Sequence, residues 1–295
     1  MRMWKAALRA SVLVLVAAAP LRAQGSGREL EFSVSDEPRH DMRTFARPIP
    51  AADEVWIENM TALEVRDALA AGKVNVLIPT GSIEENGPWL TTAKHNNVLR
   101  VSAEAIARRM GDMLLAPIVP LEPGDPARNT TPGRLSLSAE TYRGVLRDLA
   151  NGLKAQGFKN VFFVGDSGGN TRASEAVAIE LMAEWKGSGA RAFYIPEYYD
   201  YDEIMVYQRE QLGVDETRYQ DRFHDNYYIT TMIMVGSPED VRFSERVAAG
   251  TASINGFSLM PLEKSLWHGR QLVEFRADET IAGIRKALAG VAAQQ

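Results

Sequence analysis

An unbroken apolar run that ends in a polar, glycine-bearing loop is the signature of a strand buried on both faces, and this chain has a series of them. VNVLIP (74–79), MLLAPIV (113–119), VFFV (161–164) and RAFYIP (191–196) all lack the in–out alternation of a half-exposed strand. Amphipathic stretches separate them. Thr61-Ala-Leu-Glu64 is a capping box, which predicts a helix running to about Ala71 and stopping at Gly72. Residues 98–110 read as a second helix. A third is capped by Ser138, carries Tyr142, Val145, Leu146, Leu149 and Leu153 on one stripe, and closes at Gly157. A fourth covers 172–186. Strands that alternate with helices build βαβ units, so the expected fold class is α/β: a layered, mostly parallel β-sheet flanked by helices. Residues 227–235 (YYITTMIMV) fit a strand by β-branching and a helix by the spacing of Tyr228, Ile229, Met232 and Ile233. Residues 277–295 read as a final helix.

The 295 residues, 45% of them apolar, suffice for one such domain, expected over 53–295. A net charge of -5 argues against a nucleic-acid partner, which needs a basic face. With no cysteine there is no thiol catalysis, disulfide or thiolate-bound zinc. The four histidines are His40, His95, His224 and His268, so any metal centre must lean on carboxylates. Residues 1–23 have a basic start (Arg2, Lys5, Arg9), an apolar run from Ala10 to Ala19, then Pro20 and small residues. That order predicts a cleaved signal peptide, a mature N-terminus near Gln24, and a secreted or periplasmic protein with no remaining membrane span. Residues 24–52, polar and with three prolines, read as an extended arm that includes His40. His268, in SLWHGR, is expected in a loop and has no assigned role.

In open parallel sheets ligands bind beyond the carboxyl ends of the strands. Two loops there are unusual: PTGSIEENGPWLTTAKHNN (79–97) and GDSGGN (165–170). The first holds Glu84, Glu85, Asn86 and His95. The second holds Asp166 and Ser167, then two glycines that allow close backbone approach at a helix N-terminus. Plain strand-to-helix turn chemistry is the alternative for each loop taken alone.

Pro79-Thr-Gly-Ser-Ile-Glu84-Glu-Asn86-Gly-Pro resembles the creatininase (creatinine amidohydrolase) family signature, proline–x–glycine–serine–x–glutamate–glutamine–histidine–glycine–proline. Residues 132–170 are similar to the family segment ending in asparagine–glycine–histidine–glycine–glycine–asparagine, and 223–235 to its later histidine-bearing helix. The resemblance spans roughly 55–290. It implies a layered α/β fold, a tendency to homo-oligomers, and hydrolysis of cyclic amides or related C–N bonds of small molecules with two divalent metals, zinc or manganese.

Several matched positions differ. The family's first-motif glutamate is Glu84, but its histidine partner is Asn86 and its metal-bridging aspartate falls on His95. The histidine of the glycine-rich motif is Ser167, and the second-metal acid falls on Gly169. The catalytic histidine matches His224. Glu84, His95 and Asp166 are therefore the expected ligands of one divalent metal, Zn²⁺ or Mn²⁺, with water in an open position. A metal-free polar pocket built of the same groups is the alternative. His224 and Glu84 are the catalytic candidates. Asn86, Trp89, Ser167, Gly168, Gly169, Asn170 and Asp225 are the substrate-binding candidates. Tyr198, Tyr199, Tyr201 and Tyr227 are aromatics that could line the pocket, although most aromatics are core.

GDSGG is also the nucleophile string of chymotrypsin-like proteases, which sits in an all-β double barrel; here it follows a parallel-type strand and precedes a helix. Ser167 as a nucleophile activated by His224 is a further reading. A non-catalytic binding protein on a scaffold that lost its metals is the reading from another class.

Overall fold

A computed structural model describes residues 41–219 and 224–292. The expected signal peptide, most of the arm and His40 lie outside the described residues. The rest of the arm is tied to the domain: Arg66 Nη1 donates to the carbonyls of Met42 (2.9 Å) and Phe45 (2.6 Å), and the Ala52 N–H donates to Glu64 Oε1 at 2.7 Å.

The capping box forms as expected. The Glu64 N–H donates to Thr61 Oγ1 at 3.3 Å and the Thr61 N–H to Glu64 Oε2 at 2.7 Å, starting α1 (Ala62–Ala70). Strand β1 (Asn75–Thr80), helix α2 (Lys94–Met110) and strand β2 (Met113–Leu115) follow. Two short strands, β3 (Glu122–Pro123) and β4 (Ser136–Leu137), pair with each other. Next come α3 (Ala139–Gln156), capped by Ser138, then β5 (Asn160–Gly165), α4 (Gly168–Glu184) and β6 (Arg191–Tyr194). Helices α5 (Tyr201–Leu212), α6 (Tyr227–Gly236) and α7 (Phe243–Ala248) lead to a hairpin of β7 (Ser253–Ile254) and β8 (Phe257–Ser258), and α8 (Leu262–Ala292) ends the described chain.

The central sheet is wholly parallel, in the order β2-β1-β5-β6, with Thr80 opposite Gly165 at the ends of its two middle strands. One face, carrying Val76, Ile78, Val161 and Phe163, packs on Tyr142 and Leu146 of α3 and Val177 and Leu181 of α4. The other, carrying Leu77, Phe162 and Val164, packs on Leu99 and Ile106 of α2 and Ala277 and Ile281 of α8. This is the layered α/β arrangement expected from the apolar runs. Among the described residues no helix is long and apolar enough to cross a membrane.

Three sequence expectations shift. Helix α2 begins at Lys94 rather than 98, which takes His95 out of the loop and into a first helical turn. The ambiguous 227–235 is helical, and Tyr227 to Met234 are all buried. A helix covered on every side has no polar face, so its period leaves no clear mark. The loop expected around His268 is the second turn of the 31-residue α8. Gly269, the next residue, is a contact: a Cβ there would lie 2.0 Å from the Thr231 carbonyl oxygen of α6. Gly269→Ala must push α8 from α6 and should destabilise the fold by about 1–3 kcal/mol, the range for overpacking. Urea unfolding measures it, and an unchanged midpoint would contradict the close approach.

Candidate active site

The site is assembled where β1 and β5 end side by side. The Asp166 N–H donates to the Thr80 carbonyl at 3.0 Å, carrying the pairing one residue past the ladder. The chain after β1 folds back so that the Glu84 N–H donates to the Thr92 carbonyl at 3.1 Å, which sets Glu84 against the start of α2. That start breaks the usual rules. Its N-cap, Ala93, supplies no side-chain cap, its first turn has no acid, and its first two residues are Lys94 and His95. Cations are disfavoured at the positive end of a helix. Both are buried here, at 4% and 6% exposure, so their charges must be met from outside the helix.

Two carboxylates meet them. His95 Nε2 lies 2.7 Å from Glu84 Oε1 and His95 Nδ1 lies 2.8 Å from Asp166 Oδ2. An ionised carboxylate only accepts, so a ring with both nitrogens against carboxylates donates from both and is an imidazolium. Burial alone would lower the basicity of His95; the hydrogen bonds to Asp166 and Glu84 and the Asp166 charge outweigh it and push its pKa up. Lys94 Nζ is 3.1 Å from Glu84 Oε1. Arg276, on α8, donates from Nη1 to Asp166 Oδ1 at 2.6 Å, and the Tyr198 hydroxyl donates to the same oxygen at 3.0 Å. His224 Nδ1 is 3.1 Å from Glu84 Oε1. Three donors thus converge on Oε1 of Glu84. Burial would raise the Glu84 carboxyl, but the hydrogen bonds from His224 and His95 and the charges of His95 and Lys94 hold it well below the usual carboxylate range.

These side chains wall a cavity of about 190 Å³, closed on its other sides by Ser167, Gly168, Tyr199, Tyr201, Asn226 and Tyr228. The structure therefore brings together Glu84, His95, Asp166, Ser167, Gly168 and His224 of the sequence candidates. Tyr199 and Tyr201 of the candidate aromatics also line the cavity, and the remaining candidates lie elsewhere. Asn86 Nδ2 donates to the carbonyls of Glu84 (3.1 Å) and Thr91 (3.0 Å), bracing the loop from within. Asn170 is fully buried and donates to the carbonyls of Thr80 and Gly81, tying α4 to the end of β1. Gly169 faces Glu122, not the cavity. Asp225 accepts from the Thr230 hydroxyl at 2.9 Å and, with both oxygens at 2.9 Å, from Nη2 of the buried Arg246, whose guanidinium carbon stands 6.0 Å from the centre of the Trp89 ring. Asp225 and Trp89 thus support the segment behind His224. Of the aromatics, Tyr198 is core and Tyr227 bonds His268 at 3.0 Å.

Ser167 caps α4 and donates from Oγ to Glu122 Oε2 at 2.5 Å. His224 is bonded to Glu84 instead, so the serine-nucleophile pairing is not assembled. The protease reading fails on the parallel sheet around GDSGG.

The donor set does not fit a divalent metal. Both His95 nitrogens are turned to carboxylates, Asp166 is saturated by His95, Tyr198 and Arg276, and two fixed cations stand beside the acids. A Cβ at Gly169 would lie 2.4 Å from Glu122 Oε2, so a side chain there must first displace the end of Glu122. Among the described residues no three His, Asp or Glu are placed to hold an ion. The expected Glu84–His95–Asp166 ligand set is instead a chain of ion pairs.

Residues 58–279 match the profile of the family described as Creatininase: creatinine amidohydrolase. The chain belongs to the creatininase family. Among solved structures, a creatininase aligns with TM-score 0.56 and 16% identity over 81% of this chain and 98% of its own. A manganese creatininase aligns with TM-score 0.55 and 16% identity over 80% and 98%. A glutamate-to-glutamine creatininase mutant of zinc–zinc type aligns with TM-score 0.54 and 17% identity over 80% and 98%. These likenesses carry the fold. A search of curated proteins finds no match. Family membership makes this an amidohydrolase-type protein, acting on amide C–N bonds.

Sequence reasoning missed Lys94, Arg276 and Glu122. Arg276 was detectable: with Thr280 it interrupts an apolar stripe of Leu272, Val273, Ala277 and Ile281 at helical spacing. Asp225→Ala should act on the fold, because it strands the buried Arg246. A loss of about 3–5 kcal/mol is expected, as for other broken buried pairs. Thermal denaturation tests this, and a variant of native stability would restore Asp225 as a ligand contact.

Proposed function

We propose that this protein is an exported hydrolase that opens a small cyclic amide, or cleaves a related C–N bond, with His224 moving the protons. The observation that carries the reading is the His224–Glu84 pair on the cavity wall. The His224 side chain is 44% exposed while its partner carboxylate is 6% exposed. Glu84 is held so firmly ionised that it accepts the Nδ1 proton without taking it, which fixes the tautomer and leaves Nε2 as the working nitrogen. Amide hydrolysis needs a proton removed from the attacking water and one delivered to the leaving nitrogen, and one imidazole can do both in turn. The products are a carboxylic acid and an amine, joined in one molecule when the amide is cyclic. Glu84 is a positioning residue in this scheme. Ser167 and Gly168 contact the bound molecule. Export is supported by the order of charge, apolar run and small residues in 1–23.

His224→Ala should cost about 10²–10⁴ in kcat on the best cyclic amide of a lactam panel while leaving the melting temperature in place. Turnover near that of the wild type would remove His224 from the reaction. Intact-mass spectrometry of protein from the native host should find a mature N-terminus near Gln24. A chain retaining Met1 in the cytoplasm would disprove export.

A further inference from the structure

We infer that Lys94 and Arg276 stand where divalent ions would otherwise work, so that this pocket is metal-independent and selects a substrate carrying a carboxylate. The substrate class rests on the hydrolytic reading above; the metal independence does not.

The argument begins with the acids. Glu84 and Asp166 are buried at the ends of β1 and its loop and of β5, and two uncompensated charges there would be intolerable. Divalent ions are one solution. This chain has another: Lys94 Nζ lies 3.1 Å from Glu84 and Arg276 Nη1 2.6 Å from Asp166, each cation itself nearly all buried and fixed in a helix. A metal entering between the acids would meet an ammonium and a guanidinium at close range. The neighbouring positions agree. Asn86 Nδ2 is spent on backbone carbonyls, the Ser167 hydroxyl on Glu122, and the space beside Gly169 is taken by the Glu122 carboxylate.

The cavity lining supplies the rest. The two carboxylates, Glu84 and Asp166, share the wall with two fixed cations, Lys94 and Arg276. Glu122, behind Ser167, is met by Arg134 at 3.1 Å and does not line the cavity. Glu84 takes only one of the three ammonium protons of Lys94, which leaves charged donors on the cavity wall. A low-dielectric site with spare donors on a fixed cation favours an anion over its neutral analogue.

The test uses the mature chain and two probes, 5-oxoproline and 2-pyrrolidinone, the same lactam ring with and without a carboxylate. After dialysis against Zn²⁺ and Mn²⁺, elemental analysis should find no bound metal, and a chelator should leave the melting temperature unchanged. Thermal-shift titration should show 5-oxoproline binding about tenfold or more tighter than 2-pyrrolidinone. Lys94→Gln should erase that preference; Arg276→Lys, which keeps the charge, should retain it and serves if Lys94→Gln does not fold. Stoichiometric metal, a melting temperature lowered by chelation, equal binding of the two probes, or no binding of 5-oxoproline would each overturn the inference. Selective, metal-free binding of 5-oxoproline without hydrolysis would uphold it and count against the proposed activity alone.

Discussion

The His95 ring is the interaction on which the site depends. One nitrogen reaches the acid that follows β5, the other the acid in the loop after β1, and the ring itself stands in the first turn of α2. Three separate chain segments are thereby held to one plane of hydrogen bonds. The parallel sheet makes this possible: with Thr80 opposite Gly165, the two strands release their loops on the same edge and at the same height. The ring joins the two carboxylates, and Lys94 and Arg276 each meet one of them as well.

The same constraint explains why α2 starts so badly by helix rules. A helix with no cap, no early acid and two leading cations is unfavourable by itself. It becomes favourable only when docked against Glu84 and Asp166. Local preference and global structure conflict here, and such conflicts gather at sites shaped for chemistry rather than for stability. Behind the site, Asp225 with Arg246 and Asn170 with the carbonyls of Thr80 and Gly81 do the quieter work of holding the segments in place.

The sheet and its helices were legible because VNVLIP and VFFV have no polar position to hide and because Thr61, Ser138 and Gly157 mark helix ends by local chemistry. The Glu84, His95, Asp166 and His224 group was legible from its loops and its family pattern. Its nature was not. A carboxylate facing a metal and a carboxylate facing an ammonium look the same in a sequence, and the difference lay in Lys94, one residue from His95, and in Arg276, some 180 positions away. SLWHGR reads as a loop, yet its glycine, Gly269, is the point where α8 comes closest to Thr231 of α6. Asn170 and Asp225 misled because buried anchoring polar groups share residue types with ligand contacts.

The slot occupied by Glu122 has a consequence for the history open to this chain. Its carboxylate fills the space a side chain at Gly169 would need and accepts the Ser167 hydroxyl. A metal-binding version of this pocket therefore lies more than one substitution away. A side chain at 169 must displace the end of Glu122, and a histidine at 167 removes the hydroxyl that donates to Glu122 and leaves it to Arg134. Lys94 and Arg276 would still stand beside Glu84 and Asp166.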